Sequence, residues 1–407
     1  MSKRRIVTIS IILLIVTNII TFGLTNALTI QLDSRVIIPK KEYDELYSAY
    51  KDYTKVILVE SLINEDYLQD VDREQLLEGQ LKGMVHALGD PYSQYLTAEE
   101  YKDLMEQTSG SFGGIGVIVT PGDDNLITVV SPIEDTPGER AGIRPGDKII
   151  KVDGVEYTGD SMDKAVNVMK GEPDTEVTLT IMRKGKNGQD EMIDLEIVRE
   201  VIRIVTVKSS IIDDEIGYIN LTSFDELTYG DFKKDLKKLQ EANVKGLVLD
   251  LRNNPGGLLD ACADIADEFL GEGVIVYTEN KQGERRYYRS KKSHTDIPMV
   301  VLVNEGSASA SEILAGAIKD HNRGELIGTK TFGKGIVQSI KRLGDGSGLK
   351  LTVSEYFTPK GINIHKIGIE PDIVVELPED IETIGVENIK EDTQLQKALE
   401  VLKNKIQ

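Results

Sequence analysis

The 407-residue sequence has a single cysteine, Cys262, no tryptophan and only four histidines. One cysteine excludes an internal disulfide. His86, His294, His321 and His365 lie in no ligand-like spacing, which with one thiol argues against a metal site. Neither a metal nor a cofactor is expected. Positive charge is also short: 48 Lys and Arg face 68 Asp and Glu, a formal net charge of −20. That balance argues against a nucleic-acid partner and against a basic face held on anionic lipid. The longest uncharged run is at the start, where Lys3-Arg4-Arg5 precedes a charge-free stretch from Ile6 to Leu32. Its length is enough to span a bilayer, and the leading cations place the rest of the chain outside the cytoplasm. Thr25-Asn26-Ala27 is a poor cleavage site, so a single-pass anchor is expected, with a secreted chain after signal cleavage as the alternative.

The length implies two or three domains. After the anchor or signal segment (1–33), residues 34–108 carry a charged helical pattern whose amphipathic faces suit a partner subunit. Residues 109–200 shift to strands and glycine turns, with a helix over Met162–Met169. Residues 201–380 alternate apolar strands (Gly217–Leu221, Gly246–Leu251) with helices (Phe232–Ala242, Leu258–Leu270), the pattern of a helix-covered sheet. Cys262 falls in one of these apolar helical patterns and reads as a core residue. In 381–407, Glu391–Leu402 is an amphipathic helix expected to pack on the N-terminal helices or on a second subunit.

The centre of the chain is the stretch from Pro298 to Ser339. Met299-Val-Val-Leu-Val303 reads as a buried strand, Glu305-Gly-Ser-Ala-Ser-Ala-Ser-Glu312 as a small-residue turn, and Ile313–Ile318 as a helix. A side chain at such a helix start sits where free N–H groups favour developing negative charge. An activated serine there needs a base, and Lys334, flanked by Gly333 and Gly335, is the nearest candidate. On these residues alone, plain helix capping remains open. Gly328–Lys334 fits a phosphate loop until position eight, where Gly335 replaces the required hydroxyl.

Three longer patterns occur together: the serine run, Gly328-x-x-Thr331-Phe-Gly-Lys-Gly335 with Gln338, and Asp250-Leu-Arg-Asn-Asn-Pro-Gly-Gly257. In these the chain resembles the carboxyl-terminal processing proteases, tail-specific serine peptidases of the S41 family that contain a PDZ domain. The resemblance implies a multidomain α/β protein: a ClpP/crotonase-like ββα core, an inserted PDZ domain, and helical N- and C-terminal regions that form a homodimer. It places the nucleophile 25 residues before the lysine, which selects Ser309 over Ser307 and Ser311 (334 − 309 = 25). It assigns Lys334 as base and Gln338 to orient the amine. Gly256 or Gly257, with the Ala310 N–H, is assigned to the oxyanion hole, while Asp250 and Arg252 are expected to hold that turn.

Phe112-Gly-Gly-Ile-Gly-Val117, with Ala141-Gly-Ile-Arg-Pro-Gly-Asp147, resembles a PDZ domain. Gly113, Gly114, Ile115 and Gly116 would then offer N–H groups to a chain-terminal carboxylate. Relatives often carry an arginine where this chain has Lys170, and a lysine cannot repeat a bidentate contact to the core. The resemblance implies peptide substrates with free C-terminal tails, including secreted or signalling proteins of cell envelopes. A catalytically silent PDZ receptor or scaffold is the alternative. His321, twelve residues beyond Ser309, is about three helical turns from the helix start, too far for a Ser-His-Asp triad.

Overall fold

The structure is a computed structural model that describes residues 2–27, 38–185, 188–381 and 383–406. It comprises two compact units, Met1–Leu81 and Lys82–Gln407. In the first, helix Lys3–Ala27 contains one segment, Lys3–Thr21, long and apolar enough to cross a membrane. Residues 28–32 of the uncharged stretch lie outside the described residues. Helix Lys40–Asp66 buries none of its side chains.

In the second unit, five antiparallel strands run in the order Val117–Pro121, Ile127–Pro132, Lys148–Val152, Glu176–Lys184, Asp190–Val198, with Val155–Glu156 beside the third. They close with helix Met162–Met169 over a core that includes Ile127, Ile149, Leu179, Ile181 and Ala165. Val117–Pro121 is one of the two edge strands of this sheet.

The mainly parallel sheet runs Val207–Ile212, Ile216–Leu221, Gly246–Asp250, Met299–Val303, Gly324–Gly328, Ile373–Val374, and every pairing after the first is parallel. Parallel strands need cover on both faces, and their unbroken apolar runs supply two sets of side chains. Leu247, Leu249, Val301 and Val303 face one core, shared with helices Thr228–Glu241, Leu259–Asp267 and Ala310–Asp320. Val248, Val300, Leu302 and Ile327 face the other, which is closed by Leu395, Ala398, Leu399 and Leu402 of helix Thr393–Ile406. The buried stripe of the C-terminal helix therefore covers its own chain's sheet. Its stripe at i, i+3, i+4 and i+7 matches an otherwise bare sheet face, and each leucine buried there stabilises by about 1.5–3 kcal/mol.

A third, antiparallel sheet joins Gln94–Leu96, Gly348–Phe357, Gly273–Asn280 and Arg285–Ser290, with Ile336–Arg342 also paired to Gly348–Phe357. Its inward face meets the carboxyl ends of the parallel strands, where loops of open α/β sheets build their sites.

Candidate active site

Three turns converge there. The first follows strand Met299–Val303 and ends at Ser309, the N-cap of helix Ala310–Asp320. The three serines of this turn part company. Ser307 is buried and donates Oγ to the Leu251 carbonyl (2.8 Å), and Ser311 is buried and donates to the Asn254 carbonyl (2.9 Å). Ser309 is partly exposed and donates its hydroxyl to no acceptor among the described residues. Its backbone, at φ 54° and ψ −114°, lies where a side chain is strained by about 1–3 kcal/mol. Such strain persists only when neighbours hold it.

The holder is Glu312, fully buried one turn into the helix. Its Oε2 accepts the Ser309 N–H (3.0 Å) and the Lys334 N–H (2.8 Å). Its Oε1 accepts the Gly333 N–H (2.7 Å) and the Thr331 hydroxyl (2.5 Å). One carboxylate thus joins the serine turn to the lysine turn. The second turn, Gly328–Gly335, runs into strand Ile336–Arg342 and not into a helix, so it lacks the geometry of a phosphate loop.

Lys334 Nζ lies 3.3 Å from Gln338 Oε1 and 5.0 Å from the centre of the Tyr92 ring. Gln338 Nε2 donates to the Tyr92 carbonyl. No hydrogen bond joins Ser309 Oγ to Lys334 Nζ among the described residues. Burial first, then the Lys350 charge, push the Lys334 ammonium below the ordinary lysine range, against the pull of Asp90. A lysine so placed loses its proton more readily, as a base must.

The third turn, Leu251–Gly257, follows strand Gly246–Asp250. A Cβ on Gly256 would sit 2.8 Å from Ser309 Cβ and 2.9 Å from Ala310 N, so the turn abuts the serine. The Gly256 N–H donates to Asn254 Oδ1 (2.9 Å) and is therefore not free for an oxyanion, a correction to one of the two expected donors. The N–H groups of Gly257 and Ala310 meet no acceptor among the described residues.

Arg252 and Asp250 do hold this turn. The fully buried guanidinium donates to Asp250 (2.6 Å), Asp392 (2.8 and 2.9 Å) and Gln394 (3.1 Å), and Tyr218 donates to Asp250 (2.7 Å). Tyr356 closes the floor by donating to the Ser309 carbonyl (3.1 Å). His321 caps the far end of the serine's helix and bonds the Val274 carbonyl (2.8 Å), away from the site. Cys262 is a core residue whose thiol donates to the Ala310 carbonyl at 3.0 Å.

In the smaller domain, Ser111–Gly114 pairs with Glu200–Arg203, and the Gly113 carbonyl accepts the Gly171 N–H (3.0 Å). The N–H groups of Ile115 and Gly116 beyond it meet no acceptor among the described residues. Lys170 pairs with Asp103 (3.2 Å) and Glu106 (2.9 Å) of helix Ala98–Ser109 and lies over the Phe112 ring. Arg199, which sequence reasoning passed over, caps helix Met162–Met169 by donating to the Val168 (2.7 Å) and Met169 (3.1 Å) carbonyls. Sequence reasoning also missed Glu312, although Ser309-x-x-Glu312 has capping-box spacing, and it missed Tyr92 and Tyr356.

The chain is similar to known proteins over most of its length. Residues 215–375 match peptidase family S41, residues 128–183 match the PDZ domain, and residues 14–100 match the activating protease CtpB N-terminal domain. A carboxy-terminal-processing protease of Bartonella bacilliformis is 43% identical over 338 residues, 81% of this chain and 76% of that protein. Carboxy-terminal processing protease CtpA of Bacillus subtilis is 38% identical over 381 residues, covering 93% and 78%. A putative S41 protease from Bacteroides fragilis shares the fold at 17% identity and TM-score 0.51, covering 85% of this chain and 97% of that one. This chain belongs to the carboxy-terminal processing proteases, PDZ-containing serine-type peptidases of family S41.

Proposed function

We propose that this peptidase is an extracytoplasmic, membrane-anchored endopeptidase that takes a protein's C-terminal tail in its PDZ domain and cuts the chain with a Ser309–Lys334 dyad. The observation that carries the reading is the placement of Lys334: half-buried, shifted towards the neutral form and held on Gln338, one carboxylate away from the strained Ser309. Neutral Lys334 takes the Ser309 proton as Oγ attacks the scissile carbonyl, then returns it to the leaving amine. Catalytic contacts that are long in a free enzyme shorten once substrate fills the site. Gly257 and Ala310 N–H groups receive the oxyanion, a contribution of about 10²–10³ in rate per donor. Water then releases the acyl group by the reverse path.

The free N–H groups of Ile115 and Gly116 suit a terminal carboxylate, and the open edge of Val117–Pro121 suits an added tail strand. Lys170 supports a coupling between the domains. It grips helix Ala98–Ser109, whose preceding strand Gln94–Leu96 pairs with Gly348–Phe357, beside the Gln338 strand. The uncovered stripe Tyr43, Leu46, Tyr47, Tyr50 and Ile57 on helix Lys40–Asp66 supports a homodimer. The Lys3–Thr21 segment behind three leading cations supports an anchor with the catalytic part outside.

The test is digestion of casein by the detergent-solubilised full chain, with Ser309→Ala and Lys334→Ala beside it. Cleavage by wild type and by neither variant is expected. Undiminished cleavage by Lys334→Ala would falsify the dyad. A silent PDZ receptor would cut nothing in any form while still binding tails.

A further inference from the structure

Strand Gly348–Phe357 carries one extra residue, Val353, where its pairing steps from Val337↔Ser354 to Gln338↔Thr352. Beyond that bulge Thr352 stands opposite Gln338, and Lys350 shares their face. Lys350 lies two residues further, about 7 Å along the strand, between Ile340 and Gln94 of the flanking strands. It is partly buried and makes no ion pair or hydrogen bond among the described residues. An unpaired, half-covered ammonium is costly, because it gives up water without a counter-charge. Stability alone would replace it with a polar neutral residue.

We propose that Lys350 is a positioning residue of the catalytic centre, an unpaired cation on the same strand face as Gln338 that drives the proton off Lys334 and so keeps the base free. This inference rests on Lys334 acting as the base. The groups that face Lys334 are few. Asp90 and the Tyr92 ring come from the segment before Gln94–Leu96, with His365 edge-on behind Tyr92 at 6.3 Å. Gln338 comes from its own strand, Lys350 from the neighbouring one, and Ser309 and Glu312 from the helix start. Asp90, the Gln338 oxygen and the face of the Tyr92 ring favour the protonated amine, and Lys350 opposes them. Two facing ammonium groups shed their first proton as a pair, at lower pH than either would alone.

The sign follows. Activity rises with pH as Lys334 loses its proton, and removing the neighbouring positive charge makes that loss harder. In the full-chain peptidase, Lys350→Gln is expected to move the acid limb of kcat/KM upward by ~1 pH unit, about a tenfold loss on the acid side. Activity above the limb is retained, and Lys350→Arg keeps the wild-type limb. Lys341→Gln, an exposed lysine on the strand's opposite face, leaves the profile unmoved. Thermal unfolding of each variant separates a folding defect from a shifted limb. An unmoved limb in folded Lys350→Gln, or a change confined to KM, would overturn the inference. Lys334→Ala, run in the same assay, isolates the reading beneath it: activity there would remove the base itself, whatever Lys350 does.

Discussion

Replacing Glu312 by glutamine tests the centre of the site with almost no change of shape. The carboxylate accepts four hydrogen bonds, two on each oxygen, from Ser309, Thr331, Gly333 and Lys334. Glutamine keeps one accepting oxygen and turns the other end into a donor, so two of those four donors lose their acceptor. Each buried donor left unpaired costs about 1–3 kcal/mol, or about 2–6 kcal/mol for the two. The fold can relieve this by letting Gly333 and Lys334 draw away from Ser309, since the parallel sheet beneath is held independently by its cores. A displacement near 1 Å at reacting groups costs about 10²-fold in rate. Glu312→Gln is therefore expected to lose about 10²-fold or more in kcat/KM on casein, with its circular dichroism unchanged and its Tm lower by several degrees. The loss should fall mainly on kcat. An enzyme within about twofold of wild type would refute the idea that this carboxylate sets the serine against the lysine, since the rate effect is expected to be some fifty times larger.

Arg252→Met leaves Asp250 and Asp392 buried without their cation, and chemical denaturation should show a loss of about 3–5 kcal/mol. Burial alone would raise the Asp392 carboxyl, but Arg252 and backbone N–H groups outweigh it and hold it below the usual range. Its contribution is thus full at neutral pH and disappears as pH falls through that lowered value, so wild type should lose stability in acid more steeply than Arg252→Met. Gly257→Ala should abolish activity and destabilise, because φ is 142° and a Cβ would collide with the Phe224 carbonyl. Cys262, fully buried with burial raising its thiol, should resist iodoacetamide in the native enzyme and react at once in urea. Rapid labelling without denaturant would contradict the packing described.

Strand Met299–Val303 and helix Met162–Met169 have the bounds their sequences predict. The first is a β-branched run closed by Pro298 and Asn304, and the second is an amphipathic turn sequence ending before Gly171. Such local signals survive folding because the sheet and the smaller core reinforce them. What a face packs against is not local. The Leu395–Leu402 stripe announces a helix with a buried side, yet only the bare sheet face over Val300 and Leu302 decides its partner. Gly256 illustrates a finer limit. A glycine pair after a strand suggests free amides, but Asn254, two residues earlier, folds back on the first of them in an Asx turn. That signal was present in the sequence. The contacts of Glu312 with Gly333 and Lys334 were not, because they span 21 and 22 residues and depend on two loops meeting.

The Arg252 cluster has a consequence for biogenesis. Its guanidinium sits at the start of the catalytic turn, but Asp392 lies 140 residues later in the chain. At roughly 5–20 residues per second, synthesis takes about 7–30 seconds to cover that interval. Until then one of the cation's two carboxylate partners does not exist, and the helix that carries it cannot close the sheet. The turn beside Ser309 is thus left incomplete while most of the chain, including Ser309 and Lys334, has already been made. The buried cluster around Arg252 is completed only when the chain is nearly whole.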